Sequence, residues 1–201
     1  MKIYLISNNL VVNDISYETS ETVEEKRISR PLSIEGEKLA LKISSLINAQ
    51  VIYSSNFASA IGTAKYIAKN NNIDIKINSK LNDSLIGNLG NRNIKMLRFM
   101  QEKDFDYKFP FGESLNETKE RLNNFFKKVI YMYKEENVVV VSHKRAMLAL
   151  LTLYCKKEID INDRLVLTYN ESIILNDAEN DADIIEITLE NGNIINIDIL
   201  E

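Results

Sequence analysis

The sequence predicts an α/β sandwich with a mainly parallel central sheet, and three patterns carry this prediction. In the first part of the chain, short apolar runs typical of strands alternate with segments whose apolar residues recur at helical spacing. Val138–Val141 is a run of four valines, the composition of a central strand that is buried on both faces. Near the end of the chain, two alternating segments joined by Asn191-Gly192 predict a β-hairpin with a two-residue turn. Helices that connect parallel strands cover the faces of the sheet, which gives the sandwich.

The first half of the chain supplies three predicted strands and two predicted helices. They are strand Lys2–Ser7, a helix that begins after Ser33, strand Val51–Ser54, helix Phe57–Asn70 and strand Ile73–Ile77. Ser33 is a good N-cap because its hydroxyl can accept a backbone N–H of the first helical turn. The polar stretch Asn8–Arg30 separates the first strand from this helix. It includes Glu24–Arg27, which we predict to be a solvated loop.

The second half begins with its least regular part, Leu81–Phe111, where glycines and a proline interrupt any periodic pattern. Ser114 and Glu117 form a capping-box pattern that opens a long amphipathic helix to about Glu135. The later predicted elements are strand Val138–Val141, helix Lys144–Cys155 and the hairpin strands Ile184–Leu189 and Ile194–Ile199. Because no linker or internal repeat divides the sequence, we predict one domain over residues 1–201.

Composition and charge narrow the class of protein. The chain has 201 residues, 25 Lys and Arg against 29 Asp and Glu, and a net charge of −4, which argues against a nucleic-acid partner or an acidic membrane surface. One cysteine excludes an intrachain disulfide, and with one histidine it cannot supply a Cys/His zinc cluster. Ala146–Cys155 is the longest mostly apolar stretch and is too short to span a membrane. The segment Met1–Ile6 lacks the features of a signal peptide, so we expect a cytoplasmic protein.

The predicted strand ends indicate where a functional site would lie. In open α/β sheets, ligands bind outside the carboxyl ends of the strands. Ser7, Ser54-Ser55 and Ser142-His143 stand at three such ends, and the last two run directly into predicted helices. Helix N-termini present free backbone N–H groups and the positive end of the helix dipole, which favours an anion. His143, the only histidine, therefore stands where chemistry is usually placed.

Several segments resemble the histidine phosphatase superfamily, which is also called phosphoglycerate mutase-like. Each segment alone is a weak signal, but their order and spacing match the family across nearly the whole chain. They are Pro31–Gly36, Tyr53–Ser55 with Thr63-Ala64, Gly112–Ser114 with Arg121, Val140–His143 and the late Asn170. The resemblance implies a three-layer α/β/α sandwich and an activity on phosphomonoesters, as a phosphatase or a phosphomutase, with no cofactor and no metal. It also implies that the region of Glu24–Arg27 borders the pocket.

The resemblance also shows where this chain departs from the family's chemistry. In the family, an Arg-His-Gly triplet follows the first strand, and its histidine attacks phosphorus to form phosphohistidine. Two arginines and a second histidine surround the phosphoryl group, and an acidic residue protonates the leaving oxygen. The triplet aligns here with Ser7-Asn8-Asn9, which puts Asn8 at the nucleophile position and Ser7 at the first arginine position. Ser59 stands at the second arginine position, so His143 is the one residue of the family's four-residue phosphate pocket that this sequence keeps.

Two assignments stay open at this level. The family's acid corresponds either to Asp83 or to Glu113, and the sequence does not decide between them. Lys144 and Arg145 follow His143 directly. They either return positive charge to the pocket or are solvated residues of the first helical turn, where cations oppose the helix dipole.

We therefore predict a histidine-phosphatase-like protein that has lost phosphotransfer catalysis and acts as a binding or regulatory module. Its expected ligand is a small anion or a phosphorylated metabolite. The expected ligand-binding residues are Ser7, Asn8, Asn9, Ser59, His143, Lys144 and Arg145. The alternative is an active phosphatase or phosphomutase with an atypical site centred on His143. A third hypothesis is a scaffold that retains the fold for oligomerisation, as a homo-oligomer.

Overall fold

The computed structural model describes residues 1–7, 10–12, 22–161, 164–176 and 184–200. Its strands are β1 (Lys2–Ser7), β2 (Val51–Ser54), β3 (Ile75–Ile77), β4 (Val138–Ser142), β5 (Lys156–Ile159), β6 (Leu165–Tyr169), β7 (Ser172–Asn176), β8 (Ile184–Glu190) and β9 (Asn193–Ile199). Its helices are α1 (Val23–Ser29), α2 (Ile34–Leu46), α3 (Ala58–Asn71), α4 (Ile94–Lys103), α5 (Leu115–Met132) and α6 (Lys144–Leu151), with a 3-10 turn at Ser79–Leu81. None of the helices in these ranges is long and apolar enough to cross a membrane.

A mixed sheet in the strand order β3-β2-β4-β1-β8-β9 forms the centre of the fold. The strands β3, β2, β4 and β1 are parallel neighbours, whereas β8 runs antiparallel to β1 and β9 antiparallel to β8. All five residues of β4 are buried, as its run of valines predicts. The predicted mainly parallel sheet with a central valine strand is confirmed.

Helices cover both faces of this sheet, and side-chain alternation along the strands separates two hydrophobic cores. Ile3 and Leu5 of β1 belong to a core that includes residues of α5 and α6. Tyr4 and Ile6 belong to the core on the other face, with residues of α2 and α3. The valines of β4 divide between the two cores in the same alternating way. The three-layer α/β/α sandwich is therefore confirmed.

The local signals that the sequence offered for helix starts and for the terminal turn are also confirmed. The Ser114 hydroxyl accepts the N–H of Glu117 at 3.1 Å, and the Ser114 N–H donates to the Glu117 carboxylate at 2.9 Å, so the capping box opens α5. Ser33 caps α2 with a single hydrogen bond, in which its hydroxyl accepts the Gly36 N–H at 3.1 Å. The turn between β8 and β9 has positive φ at both Asn191 and Gly192, as a type I′ hairpin turn requires.

Three parts of the fold differ from the prediction. The helix α1 lies in the predicted polar loop, α4 lies in the predicted irregular segment, and β5, β6 and β7 form a separate antiparallel sheet. No residue of α1 is fully buried and α4 buries only Leu97 and Gln101, so both helices contribute little to the two cores of the central sheet. The ends of predicted elements also shift: β3 begins at Ile75, α5 ends at Met132 and α6 ends at Leu151.

The capping box of α5 gives a direct test of the fold. Replacing Ser114 by Ala leaves a backbone N–H of the first turn without its acceptor, so we expect the free energy of unfolding to fall by about 1 kcal/mol. Chemical denaturation followed by circular dichroism measures this change. Ser45→Ala is the matched control because the exposed Ser45 hydroxyl donates to the Lys42 carbonyl within a helix. We expect it to change stability by less than about 0.5 kcal/mol, and equal effects of the two variants would contradict the prediction.

Candidate functional site

Three of the four parallel strands end in serines that the sheet brings to one edge. Ser7 ends β1, Ser54 ends β2 and Ser142 ends β4. The strand register pairs Ser7 with Ser142 and Ser54 with Val141, so the three ends lie side by side. All three serines are buried. The segments that follow β2 and β4 therefore start from neighbouring positions.

These two segments meet in a hydrogen bond between Ser55 and His143. The Ser55 Oγ lies 2.8 Å from the His143 Nε2. The same hydroxyl oxygen accepts the Phe57 N–H at 3.3 Å. Because a hydroxyl has one proton and two lone pairs, Ser55 donates to Nε2 in one tautomer of the neutral imidazole and accepts from it in the other.

Burial makes His143 a weak base. The residue is 6% exposed, and its ring centre lies 4.4 Å from that of Phe57. Burial lowers the pKa of His143 to about 4. The carboxylate of Asp83 opposes this shift, while the positive charges of Arg27 and Arg121 add to it. The imidazole is therefore neutral at neutral pH.

Arg27 of α1 lies beside the histidine, in a segment that the sequence analysis predicted to be a solvated loop. It forms an ion pair with Asp83 and donates to the Ser84 carbonyl oxygen at 3.2 Å. Its guanidinium carbon lies 5.8 Å from the centre of the Phe57 ring, the same ring that contacts His143. The loop prediction is wrong at Arg27 because helix α1 turns this side chain inward.

A sequence signal for this helix was present. Thr22 and Glu25 form a capping box, in which the Thr22 hydroxyl accepts the Glu25 N–H at 3.2 Å and the Thr22 N–H donates to the Glu25 carboxylate at 2.7 Å. The helix places Glu24 and Arg27 one turn apart, where they form a second ion pair at 2.9 Å. The pattern Thr-x-x-Glu therefore predicts a helix start, although not the contact of Arg27 with Asp83.

Asp83 is held in its ionised form at this position. Burial, the largest single effect, would raise the pKa of the Asp83 carboxyl. The charge of Arg27, together with smaller effects of His143, Arg98 and the Ser84 N–H, outweighs it, so the pKa lies below its usual value. The Ser84 N–H also donates to the Asp83 Oδ1 at 2.9 Å. A carboxylate that is ionised at neutral pH can accept a hydrogen bond but has no proton to donate.

Glu113, the other candidate acid, is engaged by Arg121. The Arg121 Nε and Nη2 donate to the two oxygens of the Glu113 carboxylate at 2.8 and 2.7 Å, a bidentate pair. The Arg121 Nη1 donates to the carbonyl oxygens of Lys80 and Asn82 at 2.7 and 3.1 Å. Arg121 thereby ties the start of α5 to the segment that leads into Asp83. Glu113 acts here as the partner of that clamp.

The other predicted site residues lie around this centre in different environments. Ser59 lies in the first turn of α3 and is buried, and Lys144, the first residue of α6, is half-buried. Arg145 is 6% exposed and reaches α4, where its Nη1 lies 3.5 Å from the Glu102 carboxylate and its Nη2 lies 3.4 Å from the Gln101 Oε1. The hypothesis of a solvated first turn is therefore wrong for Arg145. Asn8 and Asn9 lie outside the described residues.

Two helix N-termini begin within the site. The N-cap positions of α3 and α6 are Phe57 and His143, and neither side chain bonds to its own first turn. The backbone N–H groups of these turns, together with the helix dipoles, favour an anion. Because Ser55 is bonded to His143, both termini start from the same place. The described residues contain no group of three or more His, Cys, Asp and Glu side chains placed to hold a metal ion.

The chain belongs to the histidine phosphatase superfamily. The family model named histidine phosphatase superfamily (branch 1) matches residues 18–188, which is most of the chain. The match begins after the strand end at Ser7 and includes the segments of Arg27, Asp83 and His143. The resemblance seen in the sequence is thereby confirmed.

Solved structures show the same fold at low sequence identity. A mycobacterial glucosyl-3-phosphoglycerate phosphatase superposes with a TM-score of 0.67 at 13% identity, over 98% of this chain and 96% of that chain. The α-ribazole phosphatase from Shigella flexneri superposes with a TM-score of 0.63 at 14% identity, over 96% of this chain and 93% of that chain. The Bacillus stearothermophilus protein YhfR superposes with a TM-score of 0.65 at 16% identity, also over 96% of this chain and 93% of that chain. A search of curated proteins found no significant match.

The buried neutral imidazole predicts a pH-dependent stability. Between about pH 4 and 6.5 the unfolded chain binds a proton at His143 and the folded chain does not, so the free energy of unfolding falls as the pH is lowered through this window. We expect a loss of about 2 kcal/mol from this group between about pH 7.5 and pH 5. Denaturation at these two pH values measures it, and His143→Gln removes this part of the pH dependence.

A second measurement separates this prediction from other titrating groups. Because the chain has one histidine, its imidazole resonances can be followed by NMR without an assignment problem. The expected midpoint lies near pH 4. A midpoint near the ordinary value of about 6.5 would contradict the burial argument.

Proposed function

We propose that this protein keeps the histidine phosphatase fold without its phosphotransfer chemistry and acts as a binding or regulatory module for a small anion or phosphorylated metabolite. One observation carries the proposal: buried neutral serines, Ser7 and Ser59, stand where the family's resemblance implies arginines. The nucleophile position is occupied by Asn8. Its amide has no lone pair of sufficient basicity to attack phosphorus.

The size of these losses supports the proposal. Removing one preorganised charged donor costs about 2.7–4 kcal/mol of transition-state stabilisation. Two such positions are serines here, and without the nucleophile there is no covalent step for the remaining donors to assist. Rate losses of this kind move a phosphatase far below ordinary turnover.

The protonation states of the remaining groups point in the same direction. The family's mechanism needs an acid that protonates the leaving oxygen, and we assign Asp83 to that position because its charge acts on His143. Its lowered pKa leaves Asp83 without a proton at neutral pH, so it is a poor general acid. The neutral His143 also contributes no positive charge to an unliganded phosphate pocket.

The site nevertheless keeps features that favour an anion. The N-termini of α3 and α6 start beside the Ser55–His143 pair, and Arg27 supplies a positive charge nearby. A fold neighbour, the mycobacterial phosphatase, has been solved with inorganic phosphate. Without two arginine contacts of about 1.5–3 kcal/mol each, we expect millimolar affinity for phosphate or sulfate.

A second candidate function is favoured by the Ser55–His143 hydrogen bond. A serine hydroxyl that lies 2.8 Å from a histidine ring nitrogen has the geometry of a nucleophile beside its general base, in the tautomer whose Nε2 carries no proton. An atypical phosphatase centred on His143 would use Ser55 Oγ to attack phosphorus. The pKa of about 4 makes His143 a weak base, which is why we place this function second.

The absence of catalysis is the first prediction from this function. We expect no phosphohistidine and negligible turnover of p-nitrophenyl phosphate or 3-phosphoglycerate between acid and neutral pH, because no nucleophile occupies the position of Asn8. Release of phosphate and acid-labile labelling of the protein measure the two steps. Turnover of about 1–10³ s⁻¹, the ordinary enzyme range, would refute the proposal.

Two variants distinguish a residual activity from contamination. A slow activity that is lost in both Ser55→Ala and His143→Ala would favour the atypical phosphatase. A slow activity that survives both substitutions belongs to a contaminating enzyme.

Anion binding is the second prediction. We expect phosphate to bind at millimolar concentration, to bind more weakly as salt is raised, and to raise the pKa of His143, because a nearby negative charge favours the imidazolium. NMR titration of the single imidazole with phosphate measures both quantities. If the imidazole neither shifts nor changes its pKa up to tens of millimolar phosphate, the pocket is not an anion site, and the scaffold hypothesis moves ahead.

A further inference from the structure

We propose that Arg27 is the residue that recognises the anion in this pocket, and that Asp83 occupies Arg27 as an intramolecular competitor until a phosphomonoester displaces it. This inference rests on the function proposed above, because it names the recognising residue and the step that controls access to it. In this proposal, binding of the phosphoryl oxygens, which the family assigns to two arginines, is carried out by an arginine of helix α1.

The contacts of Arg27 are those of an arginine that already holds an oxyanion. Its Nη2 donates to a carboxylate oxygen of Asp83, while its Nη1 donates to the Ser84 carbonyl oxygen at 3.2 Å and to Glu24 at 2.9 Å. A guanidinium has five N–H donors in a planar arrangement that fits carboxylate and phosphate oxygens. A phosphoryl group that replaces Asp83 leaves the contacts with Ser84 and Glu24 in place.

The position of Arg27 fits recognition of a ligand at the sheet edge. Its guanidinium carbon lies 5.8 Å from the Phe57 ring centre, and the ring centres of Phe57 and His143 are 4.4 Å apart. Phe57 is also the N-cap residue of α3. Arg27 therefore approaches the place where the N-termini of α3 and α6 begin, and an anion there meets three sources of positive potential.

Asp83 can leave Arg27 without disturbing the segment that carries it. Arg121 fixes the backbone before Asp83 through the carbonyl oxygens of Lys80 and Asn82. These contacts do not involve Arg27. Displacement therefore needs a rotation of the Asp83 side chain, which also gives up the 2.9 Å hydrogen bond from the Ser84 N–H to the Asp83 Oδ1. An ionised carboxylate and a phosphate dianion repel each other at one guanidinium, so binding of one excludes the other.

A double-mutant cycle on this pair tests the competition. The dissociation constant of inorganic phosphate is measured at about pH 7.5 from the His143 imidazole shift in the full chain and in Arg27→Gln, Asp83→Asn and the double variant. We expect Asp83→Asn to tighten binding at least fivefold and Arg27→Gln to weaken it at least fivefold. In the Arg27→Gln background, Asp83→Asn should change the affinity less than twofold, because no competition remains.

Glu186→Gln is the matched control. It removes the same charge from another half-buried ion pair, in which Glu186 lies 2.8 Å from Lys2, and it should leave the phosphate affinity within twofold. Equal tightening by Glu186→Gln and Asp83→Asn would overturn the competition, since the effect would then come from net charge. Tightening by Asp83→Asn that persists in the Arg27→Gln background would overturn it as well.

The failure of this inference is distinguishable from failure of the proposed function. If neither the full chain nor Asp83→Asn binds phosphate up to tens of millimolar, the proposed anion site is wrong and the competition with it. If the full chain binds phosphate and Asp83→Asn binds it equally or more weakly, only the competition is overturned.

Arg27→Lys keeps the inference testable where Asp83→Asn fails to fold. Lysine keeps the positive charge and the attraction for Asp83, but it lacks the planar set of donors. We expect its phosphate affinity to lie between those of the full chain and of Arg27→Gln. Equal affinities of the full chain and Arg27→Gln would overturn the role of Arg27.

Discussion

The burial of β4 in the middle of the sheet is the constraint on which the fold and its candidate site depend. All five of its residues are buried, so its backbone N–H and C=O groups must be satisfied by the neighbouring strands β1 and β2. A slip of one residue would exchange the side chains of the two cores, which fixes the register. The same register brings the strand ends at Ser7, Ser54 and Ser142 together, and it is why Ser55 meets His143.

Two cations of the site, Arg27 and Arg121, lie on helices outside the sheet, and each pairs with its own carboxylate. Arg27 comes from α1 and pairs with Asp83, and Arg121 comes from α5 and pairs with Glu113. The strand-end position of Ser7 and the first turn of α3 at Ser59 carry hydroxyl groups instead. In the proposed function, an anion therefore competes with carboxylates of the chain, which explains why weak and selective binding is expected where an active relative holds phosphate strongly.

Sequence patterns predicted the parts of the fold whose signals are local and strong. The valine run of β4, the capping box of Ser114 and the turn at Asn191-Gly192 were each predicted correctly, because each depends on neighbouring residues. The small sheet of β5, β6 and β7 was missed, since its edge strand β5 is mostly exposed and reads Lys-Lys-Glu-Ile. The contact of Arg27 with Asp83 was also missed, because 56 positions separate the two residues and only the tertiary fold brings them together.

In the proposed function, the fold does without the charged pocket that the family resemblance implies, and the two hydrophobic cores consist of apolar side chains. Clustered buried arginines repel one another and lose hydration, so such a pocket is costly when no anion occupies it. A buried serine needs only one partner: Ser54 donates to the Ser55 carbonyl oxygen at 2.9 Å, and Ser142 donates to the Leu81 carbonyl oxygen at 2.8 Å. In the proposed function, serines in place of arginines at Ser7 and Ser59 likewise avoid the cost of burying charge, at the expense of catalysis, in line with the opposition between stability and activity at catalytic sites. Arg27 and Arg121 pair with Asp83 and Glu113, so in the proposed function these two charges are compensated within the chain before an anion binds.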